Sequence, residues 1–135
     1  MALTLTYDQR TALCVELERD LQADMPEIEI AFTQRRYTDA EQLRHDYEAV
    51  FALMDDLHGW RPGTTNAQFP LNMPAAQIIR VLRRIIRHAS RRLLKLARSS
   101  THPRHDPNGE MEHCDEVIAL CCNLLAQLAA APRGA

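Results

Sequence analysis

Apolar residues along this chain recur at steps of three and four, a spacing that predicts amphipathic helices. The first stripe runs Leu13, Leu17, Leu21, Met25, Ile28 and Phe32. Pro26 falls inside it, and proline deletes a ladder hydrogen bond and clashes with the preceding turn. One long helix kinked at Pro26, or two helices broken there, is therefore expected. The short piece "EIEIAF" also alternates as a strand would, but no second stretch offers it a partner. A second stripe joins Leu43, Tyr47, Val50, Met54 and Leu57, and a third joins Ile78, Leu82, Ile85, Ala89, Leu93 and Leu96. In the fourth, Met111, Ile118, Leu125 and Cys114, Cys121, Leu128 repeat at heptad spacing, which suits packing against neighbouring helices.

The punctuation between stripes agrees with four helices. Thr6-Tyr7-Asp8-Gln9 and Thr38-Asp39-Ala40-Glu41 both read as capping boxes. His58-Gly59-Trp60 reads as a helix stop, because glycine accepts the left-handed conformation there. "RPGTTNAQFPLNMP" is rich in turn formers, with Phe69, Leu71 and Met73 expected to tack it onto the bundle as a crossover or a binding loop. Pro74 suits the start of helix three, and "SSTHPRHDPNG" separates it from helix four, which runs from Glu110 to about Ala131 before Pro132. The sum is an all-α four-helix bundle occupying residues 1–135 as one domain, with helix 1 kinked or broken near Pro26.

An apolar fraction of 46% in 135 residues can build a core. No basic leader precedes an apolar run at the start. The most apolar tract, "VIALCCNLLAQLAAA", is interrupted by Asn123 and Gln127 and is shorter than the roughly 20 residues that span a bilayer. A cytoplasmic protein without membrane contact is expected. Cys14, Cys114 and Cys121 fall on apolar positions, so reduced, buried thiols are expected.

Charge changes the picture. Residues 1–58 hold thirteen acidic and five basic residues, whereas 59–109 hold ten basic and one acidic. "IIRVLRRIIRHASRRLLKLAR" carries eight cations and no carboxylate. Arg80, Arg84, Arg87, Arg91, Lys95 and Arg98 each follow a core-stripe residue by two positions, about 200° around the helix. They are expected to form an outward row flanked by Arg83 and Arg92. Eight like charges repel unless something nearby is anionic. Three sources of anion are open. One is the acid-rich first half of the chain, where Glu16, Glu18, Asp20, Asp24, Glu41, Asp46, Glu48, Asp55 and Asp56 offer partners. Another is an acidic protein surface, on a separate chain or a second copy. The third is a nucleic-acid backbone, bound without sequence preference because no aromatic residue interleaves with the arginines and no reading motif is present.

Metal and catalytic chemistry find less support. His102, His105, His113 and Cys114 are zinc-ligand types, but their spacing matches no finger, and adjacent helical positions such as 113 and 114 diverge by about 100°. The bland alternative keeps Cys114 in the core and the histidines in solvent. A di-iron bundle needs two inward Glu-x-x-His pairs with two further glutamates; only Glu110 to His113 fits, and helix three supplies no carboxylate. There is no glycine-rich phosphate loop and no nucleophile with a base nearby. The reading is a non-enzymatic helical interaction module, without cofactor, acting as a homo-oligomer or as a subunit of a complex. It binds an acidic partner through the arginine face, with nucleic-acid backbone as the alternative and a zinc-stabilised bundle third.

Overall fold

The computed structural model of this chain describes residues 2–58, 67–70, 74–99 and 109–130. Four helices make up nearly all of it: α1 (Tyr7–Thr33), α2 (Tyr37–His58), α3 (Ala75–Ser99) and α4 (Glu110–Ala130). The fold is the all-α four-helix bundle. Two four-residue strands, β1 (Ala2–Leu5) and β2 (Ala67–Pro70), pair antiparallel with Ala2 opposite Pro70 and Leu5 opposite Ala67.

Local chemistry sets the helix ends. Thr6 caps α1 as expected: its hydroxyl accepts from the Gln9 amide, and the Gln9 side chain accepts from the Thr6 amide. Pro26 neither breaks nor ends α1. The carbonyl it deprives of a donor belongs to Gln22, which is exposed, so water can serve it. At the other end, Arg35 N donates to Phe32 O and Arg36 N to Ala31 O, a Schellman stop, with Arg35 at φ 58 in the place glycine usually takes. The turn is so tight that α2 begins at Tyr37, two residues earlier than a Thr38 cap implies. Thr38 therefore lies within its first turn and does not cap it. Before α4, Gly109 takes φ 66 and its carbonyl accepts from His113 N.

The core joins Leu13, Leu17 and Leu21 of α1, Val50, Leu53 and Leu57 of α2, Ile78, Leu82 and Ile85 of α3, and Val117, Cys121 and Leu124 of α4. Leu5 carries β1 into this cluster. Gln127, which the sequence offers as a polar interruption, proves to be a clamp: its Oε1 accepts from Thr4 N at 2.8 Å and its Nε2 donates to Thr4 O at 3.1 Å.

Two stripe expectations need correction. Met25 and Phe32 are about half exposed, so the α1 stripe is buried only as far as Leu21; beyond it the buried positions are Asp24 and Ala31, one residue before each. On α2, Leu53 is fully buried while Leu43, Tyr47 and Met54 are half-buried, so that face is turned relative to the stripe read from spacing. In the loop, Phe69 falls on β2, while Trp60, Leu71 and Met73 lie outside the described residues.

Candidate functional site

The basic helix carries two rows of cations, not one row with flanks. The inner row is Arg84, His88 and Arg92, spaced by four residues. Glu16, Asp20 and Asp24 of α1 are spaced by four as well, and the two rows meet running in opposite directions. Arg84 bonds Asp24 through Nη2 and approaches Asp20 Oδ2 with Nε at 3.6 Å. His88 Nδ1 bonds Asp20 Oδ1 at 3.1 Å, and Arg92 Nη2 donates to Glu16 Oε1 at 2.6 Å. From α4, His113 Nε2 reaches the same Glu16 oxygen at 2.7 Å. All three carboxylates are buried, Glu16 at 1% exposure, and Arg84 retains only 12%.

This ladder is an expensive thing to place between helices. Each buried charge loses hydration, and only a partner in good geometry offsets that loss. Two guanidinium groups face three carboxylates, so with all three ionised the set is one positive charge short. Burial pushes the Asp24 carboxyl up, against the opposing pull of Arg84. Burial also works against Arg92, but the hydrogen bond and charge of Glu16 outweigh it and lift its pKa. One oxygen of each carboxylate (Glu16 Oε2, Asp20 Oδ2, Asp24 Oδ2) has no hydrogen-bond partner among the described residues.

The outer row is what remains. Arg83, Arg87, Arg91 and Arg98 are exposed, and among the described residues none has a carboxylate within ion-pair distance. Lys95 is exposed on the same face. Arg80 pairs with Asp46 of α2 at 3.2 Å but is 67% exposed, so solvent screens that pair. From Arg80 to Arg98 the outer row spans about 27 Å at 1.5 Å per residue. The expectation that all of these cations point outward thus needs correction for Arg84 and Arg92. Their neighbours Arg83 and Arg91 take the outward places.

Leu94 lies in the outer row, 54% exposed, and lines a shallow pocket with Arg91, Lys95 and Arg98. Elsewhere, Val15, Met25, Ile30, Phe32, Tyr37 and Phe51 are exposed on α1 and α2, with Phe32 and Tyr37 edge to face at 6.2 Å.

The zinc candidates do not assemble where they can be followed. His113 turns to Glu16 and Cys114 is fully buried, while His102 and His105 lie outside the described residues. Among the described residues no group of three His, Cys, Asp or Glu side chains could hold a metal ion. No described helix is long and apolar enough to cross a membrane.

No family model, curated protein or solved structure matches this chain. Any functional reading therefore stands on the geometry alone.

Proposed function

We propose that this chain is a non-enzymatic interaction module that docks an acidic protein partner, a separate chain or a second copy, on the outer face of α3. Arg83, Arg87, Arg91 and Arg98 supply cations that no described carboxylate of the chain neutralises, and Lys95 extends the row. Arginine forks match carboxylates in pairs and give up hydration more readily than an ammonium.

The observation that carries the choice of protein over nucleic acid is Leu94. An exposed leucine ringed by Arg91, Lys95 and Arg98 suits an acidic amphipathic segment, whose apolar residue covers the leucine while its carboxylates meet the cations. A phosphate backbone presents nothing apolar at that point, and its affinity comes from counterion release.

The test compares two variants in the same assays: Leu94→Ser, which leaves every charge in place, and the triple reversal R83E/R87E/R91E. Self-association is read by sedimentation, partner retention by purification at low salt with identification of what is retained, and nucleic-acid binding by titration of a labelled duplex and a single strand. An acidic protein partner is lost with either variant. Binding that survives Leu94→Ser, vanishes in the triple variant and follows a steep salt dependence belongs to a nucleic-acid backbone and overturns the proposal.

A further inference from the structure

The geometry points to a second site, between α2 and α3, that takes a small phosphate-bearing anion. It shares Arg83 and Arg87 with the docking face but differs from it in using the wall of α2 and neither Leu94 nor Arg98. A cleft of about 340 Å³ opens there, with Arg80, Arg83, Arg84 and Arg87 on one side and His45 and Asp46 on the other. That volume sits at the small end of the range for ligand sites.

Donors outnumber acceptors in this cleft. Among the described residues Asp46 is its one carboxylate, and it already accepts from Arg80 Nη2 and from the Gln42 side-chain amide, each at 3.2 Å. Arg84 directs Nε and Nη2 at Asp20 and Asp24 of α1. Its Nη1 is buried, with no hydrogen-bond partner among the described residues; Asp46 Oδ2, of the cleft wall, stands 3.8 Å away. A buried donor left without an acceptor is unfavourable, so negative charge brought into the cleft beside Arg84 is favoured. Arg83 and Arg87 add two more forks without a described carboxylate partner.

Phosphate answers this arrangement better than a carboxylate does. It offers three acceptor oxygens and up to two negative charges, enough to meet the Arg83 and Arg87 forks and offset the Arg84 charge beside them. The floor is apolar, formed by Ala49, Val50 and Val81, and has no use for a bare inorganic ion. The ligand class is thus a phosphate monoester with a small organic body.

Calorimetry of the full chain with phenyl phosphate, inorganic phosphate and benzoate tests this. Saturable one-to-one binding is expected, with phenyl phosphate the tightest of the three. His45→Glu puts a carboxylate on the exposed rim, and Ala49→Phe fills the floor without altering charge. Each should weaken phenyl phosphate at least about tenfold, while R91E/R98E changes it less than about twofold. Circular dichroism confirms that each variant is folded, and His45, being exposed, keeps one informative variant if Ala49→Phe disturbs packing. Non-saturable binding, or an equal loss in R91E/R98E, overturns the site. Benzoate or inorganic phosphate binding as tightly as phenyl phosphate overturns the ligand class. None of these results bears on Leu94, so failure here and failure of the docking proposal remain distinguishable.

Discussion

Glu16 of α1 and Arg92 of α3 stand 76 positions apart and meet at 2.6 Å, with His113 of α4 closing on the same carboxylate oxygen at 2.7 Å. One buried carboxylate therefore ties three helices together. The contact fixes which cations of α3 are structural, and so which are left for anything else.

Removing one side of that contact should be costly and removing both should not. Glu16→Gln keeps the shape but leaves the Arg92 guanidinium facing a neutral amide. A loss of about 3 kcal/mol in urea unfolding is expected, the low end of the range for a broken buried pair because Arg92 retains some exposure. The double variant E16L/R92L replaces the pair with apolar packing and should recover most of that loss. A double variant as unstable as the single one would mean that Glu16 acts through something other than its charge.

Asp24 gives the pH dependence a sign. Burial raises its carboxyl above the ordinary value of 3.8, so the folded chain holds this proton where the unfolded chain has released it. Stability from this group is present below the ordinary value and is lost as pH rises through the folded one. Asp24→Asn cannot titrate. Its stability deficit relative to the natural chain should therefore shrink as pH rises from about 4 to 7. A deficit that grows over that window would show that Arg84 outweighs burial.

The cysteines should separate by exposure. Burial, reinforced by the neighbouring Cys122, Glu16 and Asp20, pushes the Cys121 thiol up to about 12, and burial raises Cys14 too. Cys114 is buried outright, whereas Cys122 is exposed. The thiolate is the reactive form, so a disulfide reagent at about pH 8 should modify one thiol per folded chain rapidly and the other three only on unfolding. Cys122→Ser should abolish the rapid phase. A second rapid equivalent would mean that the α4 face opens more readily than its packing implies.

Much of this was legible in the residues. The helix-forming stretches, the Thr6 cap and the continuation to Ser99 follow from spacing and punctuation, which act locally. The rotation of each helix does not. Arg83 and Arg84 differ by about 100° on α3, and Arg91 and Arg92 likewise, so a small turn of the helix about its axis decides which of each pair faces α1. A signal for the inner row did exist: Glu16, Asp20, Asp24 and Arg84, His88, Arg92 share a period of four, and His88 completes the second set. The row of steps three and four through Arg80, Arg84, Arg87 and Arg91 concealed it. Met25 and Phe32 were misplaced for the same reason: beyond Leu21 the buried face of α1 passes through Asp24 and Ala31, one position before each and about 100° away. The β1–β2 ribbon, four residues a side, is too short for alternation to register.

Arg91 and Arg92 are adjacent in the chain and identical in chemistry, so urea unfolding of Arg91→Ala and Arg92→Ala compares the outer and inner rows directly. The outer residue, exposed and without a described carboxylate partner, should cost no more than about 0.5 kcal/mol when truncated. The inner one, which leaves Glu16 buried and short of its guanidinium, should cost about 3 kcal/mol or more. Equal losses, or a larger loss at Arg91, would contradict the division of α3 into a structural row and a free one.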